Sequence, residues 1–199
     1  MSVTRERFDQ GLTYGEFKAQ MTRNQERFAA NEGRVALDPA TLAAFRGLPH
    51  PLNVLVLAED WCGDVIDNLP ILGQLAAASG KLNPRVFLRD QNPDLMDQFL
   101  NQGVHRSIPV FAFFDDQFRE VGRFIERPAS VTERRAARRR AIFAAHPEYG
   151  SPDTPPGQLP EDVRAELSEA LAAMREDLKA QEMADVQRDL RAIVAGATV

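Results

Sequence analysis

Leu52-Asn53-Val54-Leu55-Val56-Leu57-Ala58, followed without a break by Glu59-Asp60-Trp61-Cys62-Gly63-Asp64, is the stretch on which the fold turns. Its first seven residues make a nearly continuous apolar run rich in branched side chains. That is the pattern of a central strand covered on both faces. Pro49 and Pro51 close the section before it. Beyond Gly63 the period changes: Ile66, Leu69, Leu72 and Leu75 predict a helix, which Gly80 stops. The chain's one cysteine therefore stands at a junction of strand and helix.

Further on, Arg85 to Asp90 reads as a second strand, and Asn92-Pro93 as the cap and first position of another helix. That helix would carry Leu95, Met96, Phe99 and Leu100 and end at Gly103. Val110 to Phe114 is a third strand, and a turn at Asp115-Asp116 leads to a fourth, Phe118 to Phe124. Strand, helix, strand, helix and two hairpin-joined strands imply an α/β fold, a mixed central sheet flanked by helices over residues 51–128. Residues 1–50 read as an N-terminal helical extension. Thr13 and Glu16 form a capping box ahead of Phe17, Met21 and Phe28, and Asp38-Pro39 opens a helix carrying Leu42 and Phe45.

Residues 129–145 form a basic helix. Residues 146–160, with five prolines and two glycines, are an irregular connection. From 161 to 199 we read one long amphipathic helix, with Leu167, Leu171, Met174 and Leu178 on one face and Val186, Leu190 and Ile193 continuing it after a register shift. The stripe packs on the body of the chain or forms a seam with a second copy, a homodimer through this helix.

Composition narrows the function. A net charge of −5 argues against nucleic acid or acidic lipid as the main partner. No apolar run is long enough to cross a bilayer, and residues 1–10 are charged where an export signal needs an apolar centre. One cysteine cannot close an intrachain disulfide, which suits a reducing cytoplasm. His50, His105 and His146 lie in separate segments, so no metal site is expected, and no cofactor is called for. The run Arg134-Arg135-Ala136-Ala137-Arg138-Arg139-Arg140 makes a basic helical face. A solvated face, or a dock for the acidic C-terminal helix, suits it better than nucleic acid does.

The order strand, Trp61-Cys62-Gly63, helix, strand, Asp90-Gln91-Asn92-Pro93, Ser107-Ile108-Pro109-Val110, strand resembles thioredoxin over roughly residues 52–125. Gly122 fits a glycine of that family's last strand. More narrowly, Glu59 to Asp64, Leu88-Arg89-Asp90, Asp94 to Gln98 and Arg106 to Pro109 resemble a bacterial thioredoxin-like group in which the second, resolving cysteine is often missing. The resemblance implies that Cys62 is the reactive position and that the Ile108–Pro109 bond is cis and faces it. It also implies a groove at which an extended peptide, or the arm of a small thiol, can pair.

The departures are as informative. Val65 stands where the resolving cysteine would be, Asp64 replaces the usual proline, and Val56 replaces a buried acid that shuttles protons. A thiol attacks as its thiolate, which a helix N-terminus favours and nearby like charge opposes. Glu59, Asp60 and Asp64 are expected to supply that like charge, with Arg106 offsetting part of it and offering an anion or substrate contact. Arg89 and Arg127 are further candidates for a carboxylate or phosphate, or pair with local acids.

Two functions follow. In one, Cys62 is a monothiol nucleophile that exchanges with mixed disulfides and is resolved by an external low-molecular-weight thiol. In the other, the fold is a non-redox binding module with a vestigial site, in which Trp61 and Cys62 are packing residues. A thiol peroxidase is a weaker third, because no activating base stands near Cys62.

Overall fold

A computed structural model describes residues 3–152 and 154–195. The chain forms two compact units, Met1–Arg127 together with Val186–Val199, and Pro128–Asp185.

The first unit is built on a four-stranded sheet of order β2-β1-β3-β4: β1 is Leu52–Ala58, β2 Leu82–Leu88, β3 Val110–Phe114 and β4 Glu120–Ile125. β1 pairs parallel with β2 and antiparallel with β3, and β3 pairs antiparallel with β4. The apolar run explains the central place of β1: Val54 through Ala58 are fully buried. Each large side chain there contributes about 1.5–3 kcal/mol relative to exposure. β2 starts and ends earlier than its apolar pattern suggested: Leu82-Asn83-Pro84 also joins the ladder, while Arg89 and Asp90 turn out of the strand into a single turn of 3-10 helix. Pro84 is tolerated on this outer strand, where a missing N–H costs least. At Val86 the outer edge is bridged by Leu12, with N–H to carbonyl contacts of 2.9 and 2.7 Å. Gly11 allows this approach, since a Cβ there would lie 2.7 Å from the Phe87 ring.

The N-terminal helices are α1 (Arg5–Phe8), α2 (Tyr14–Gln20), α3 (Gln25–Arg34) and α4 (Pro39–Arg46). The Thr13–Glu16 capping box starts α2, and the Asp38 side chain caps α4 ahead of Pro39. α5 (Gly63–Ser79) runs from its N-cap, Cys62, to Gly80, whose φ of 65° closes it. Pro70 sits inside α5 and has no N–H for the Ile66 carbonyl. The Asn31 amide supplies the missing donor at 2.9 Å, which explains a buried asparagine on α3.

Two further elements differ from the expectations. The helix expected to run from Pro93 to Gly103 is a single turn, α6 (Pro93–Met96). Its apolar residues Leu95, Met96 and Phe99 are buried all the same, but through a turn that an Asn101–His105 bridge completes. The fourth strand begins at Glu120, not Phe118, because the hairpin is longer than two residues. Asp115 accepts from the N–H groups of Gln117 and Arg119, and Phe118 takes a φ of 59°.

The second unit holds α7 (Ala129–Ala145) and the part of α8 (Glu161–Ala195) up to Asp185, joined by single turns at Pro147–Tyr149 and Pro156–Gln158. Phe143, Tyr149 and Leu167 form its core. The arginine run of α7 faces acids of α8: Arg135 meets Glu182 at 2.6 Å and Arg134 meets Asp185 at 2.8 Å. The last turns of α8 belong to the first unit, where the Gln187 amide donates to the Ala36 carbonyl and Ile193 lies against Gly122. None of the described helices is long and apolar enough to cross a membrane.

Candidate functional site

Cys62 leaves β1 in extended conformation and caps α5. The thiol is half-buried, and its Sγ lies 3.5 Å from the Ile108 carbonyl oxygen, to which it donates. The Ile108–Pro109 bond is cis, and both residues are buried where the loop enters β3. Gly63 opens α5, and Val65 is fully buried one turn in. The fold thus brings Cys62, Gly63, Asp64, Val65, Ile108 and Pro109 together around one sulfur.

Opposing forces act on that sulfur. Burial pushes the Cys62 thiol above its ordinary pKa and is the largest effect. The backbone N–H groups of Val65 and Asp64 pull it back, as the first turn of a helix should, although the thiol makes no capping hydrogen bond. The Asp64 carboxylate raises it, the Arg89 guanidinium lowers it, and the net direction is upward.

The acids flanking Cys62 do not act as a group. The Asp60 carboxylate turns away to accept from the N–H groups of Thr22 and Arg23 at 2.7 and 3.0 Å and from the Thr22 hydroxyl at 3.1 Å. These bonds hold it below the usual carboxylate range despite some burial. Glu59 is buried, which raises its pKa, and it accepts from the Asp90 N–H at 2.8 Å. Asp64 is held by Arg127 at 2.6 Å. Of the three, Asp64 alone acts appreciably on the thiol. Val56, in the position of the missing buried acid, lies at the centre of the sheet between Val86 and Phe111.

The arginines are also sorted by the fold. Arg106, expected beside the thiol as its compensating cation, makes a two-pronged contact with Asp97 at 2.8 and 3.0 Å, with both side chains half-exposed. The cation that acts on Cys62 is Arg89. Its guanidinium carbon lies 4.8 Å from the centroid of the Trp61 ring, which is 41% exposed. Stacking of this kind was not legible, because Arg89 and Trp61 are 28 positions apart and meet only when β1 and β2 pair in parallel.

Beside Glu59 and Asp60 a cavity of about 240 Å³ opens, lined also by Phe17, Met21, Thr22 and Leu88. A larger one, about 600 Å³, lies at Phe99, Phe114 and Phe118 and shares no residue with the thiol site. Among the described residues, no cluster of His, Cys, Asp or Glu is placed to hold a metal ion.

The comparisons bear on the fold. No curated protein matches the chain in sequence. Among solved structures, a protein of unknown function from Pseudomonas aeruginosa is similar at a TM-score of 0.68 and 22% identity, covering 100% of both chains. An HIV epitope-scaffold is similar at a TM-score of 0.64 and 20% identity, covering 97% of this chain and 98% of its own. At such identities the likeness concerns architecture alone. A family model described as thioredoxin matches residues 11–139, which take in the sheet, the Cys62 turn and the Ile108–Pro109 loop. On that match, over more than half of its length, the chain belongs to the thioredoxin family.

Proposed function

We propose that the protein is a monothiol thiol–disulfide oxidoreductase working through Cys62. The observation that carries this reading is the placement of one half-exposed sulfur: Cys62 stands at the N-cap of α5, and its Sγ lies 3.5 Å from the Ile108 carbonyl of the facing loop. The first-turn amides of α5 favour a thiolate. The carbonyl orients the thiol while it is protonated.

The chemistry is two exchanges. The Cys62 thiolate attacks one sulfur of a mixed disulfide, forming a new S–S bond as the old one breaks, and the protein client leaves as thiolate. Val65 has no sulfur to attack the resulting bond. A low-molecular-weight thiol therefore attacks it instead, leaving as a small-molecule disulfide and returning the Cys62 thiolate. The client is reduced and the small thiol is oxidised. The residues grouped as the site are Cys62 as nucleophile, with Trp61, Gly63, Asp64, Val65, Ile108 and Pro109 around it.

A second reading, a binding module without redox chemistry, draws support from the raised Cys62 pKa and the apolar Val56 and Val65. One experiment separates the two. Incubation with hydroxyethyl disulfide, followed by intact-mass measurement, should give a single adduct that Cys62→Ser abolishes and free mercaptoethanol removes. Cys62 left unmodified after hours, with Asp64→Asn equally inert, assigns the chain to the binding module.

A further inference from the structure

Arg89 occupies an unusual position between the two halves of the site. It follows β2 directly, its guanidinium covers the Trp61 ring, and its Nη1 donates to the Arg106 carbonyl at 3.3 Å, on the loop leading to Pro109. Its Nε donates to Asp90 at 2.8 Å, and Nη2 lies 2.7 Å from the same carboxylate oxygen. The guanidinium is thereby fixed in plane and orientation by an aromatic face, a carboxylate and a backbone carbonyl. A guanidinium has five N–H donors. Three contacts leave two donors for a ligand, and the side chain is 23% exposed.

The other cations nearby are less suited to a ligand. Arg127 is bonded to Asp64 and Glu126, and Arg106 is spent on both oxygens of Asp97. Arg89 shares only one oxygen of a carboxylate that is itself half-exposed. Nor do the acids beside Cys62 form a uniform negative field: Asp60 and Asp64 are bonded elsewhere, and Glu59 is buried with its pKa raised. An arriving anion therefore meets a fixed cation with donors to spare, backed by an exposed indole. Planar guanidinium groups are suited to carboxylates because two parallel N–H bonds fit the two oxygens.

We propose that Arg89, stacked on Trp61 and tied to the Arg106 carbonyl, is a specificity-determining residue that selects disulfides and thiols carrying a carboxylate near the sulfur. This rests on the reading of Cys62 as the nucleophile. The partner's carboxylate docks on the free N–H edge of Arg89, its carbon arm crosses the Trp61 ring, and its sulfur is presented to Cys62. The same contact serves both halves of the cycle, because the resolving thiol carries the same carboxylate as the group it removes.

The test uses the whole protein and three symmetric disulfides: dithiodipropionate with a carboxylate on each arm, neutral hydroxyethyl disulfide, and cystamine with an ammonium on each arm. Rates of Cys62 adduct formation are read by intact mass, each divided by the rate of the same disulfide with a free small thiol. Arg89 also affects the thiolate, but a change in thiolate fraction alters all three rates alike and cancels in their ratio. The wild type should favour dithiodipropionate over cystamine. Arg89→Gln should reduce that preference about tenfold, the size expected for losing one charge-assisted hydrogen bond, and Arg89→Lys should restore part of it. High salt should weaken the wild-type preference. Equal normalised rates in the wild type, or a preference that Arg89→Gln leaves intact, overturns the selectivity while leaving Cys62 a nucleophile. Absence of adduct from all three overturns both.

Discussion

Arg127, two residues beyond the end of β4, donates to the Asp64 carboxylate at 2.6 Å in the first turn of α5. Asp64 is the one acid whose charge raises the Cys62 pKa, so Arg127 stands behind the group that opposes the thiolate. The pair couples the last strand to the reactivity of the thiol and gives two substitutions of opposite sign. Asp64→Asn removes the opposing charge and should speed alkylation of Cys62 several-fold at neutral pH. Arg127→Gln leaves Asp64 less compensated and should slow it. Because the Cys62 pKa is raised, the wild-type rate should keep climbing with pH beyond the point where a free thiol has levelled off. Stopped-time alkylation across pH measures this, and no separation of the Asp64→Asn and wild-type profiles would refute the electrostatic account.

Val65 is the residue that denies the chain a dithiol. It lies fully buried in the first turn of the helix that Cys62 caps. Val65→Cys should therefore place two sulfurs within bonding reach. A mild oxidant should consume both thiols, and insulin reduction should be negligible in the wild type and appear in the variant. The substitution removes buried methyl groups and should cost about 1 kcal/mol in the reduced form. Free thiols that persist under oxidant would contradict the turn geometry.

Glu59 offers a test in stability. Its folded pKa is raised chiefly by burial, so the native state disfavours the charged form. The stability linked to this group is intact below its unfolded pKa and is lost as pH rises through the folded value. Glu59→Gln keeps an oxygen for the Asp90 N–H and has no charge to bury. Its melting temperature should equal that of the wild type at acidic pH and exceed it at neutral pH. Parallel thermal melts at the two pH values decide the matter, and a wild type that remains the more stable at neutral pH speaks against a disfavoured charge.

Asp60 is a structural acid beside a chemical site. It gathers the Thr22 and Arg23 N–H groups, while Asn24 donates to its carbonyl at 2.8 Å, so it fastens the α2–α3 connection to the end of β1. Asp60→Ala should cost about 1–2 kcal/mol through two backbone donors left without their acceptor. Denaturant melts give the loss, and the pH profile of Cys62 alkylation should not move.

Much of the fold was legible in residues that act locally. The run from Leu52 to Ala58 has the pattern of a buried strand, and it is β1. Gly80 and Asp38-Pro39 placed helix ends because left-handed φ and a fixed proline φ are properties of single residues. β2 begins three residues before the expected strand because Pro84 is compatible with a strand at an outer edge, and the edge is a property of the sheet. The helix expected from Pro93 to Gly103 carried the right buried residues in the wrong backbone: Leu95, Met96 and Phe99 reach the core through one turn and a bend.

The sequence by itself determined the position of the one thiol, at the N-cap of α5, and the absence of a second sulfur one turn on. Both follow from order along the chain. Only the tertiary structure decided what surrounds the thiol: Arg89 and not Arg106 as its cation, Asp64 alone among three neighbouring acids, and Asn31 serving the carbonyl that Pro70 leaves free. The reason is physical. Helix caps and buried strands are fixed by interactions a few residues long, whereas the effect of a charge depends on distance, burial and partners. Those partners, Thr22 and Arg23 for Asp60 and Arg127 for Asp64, lie dozens of positions away and become neighbours only when the strands have paired.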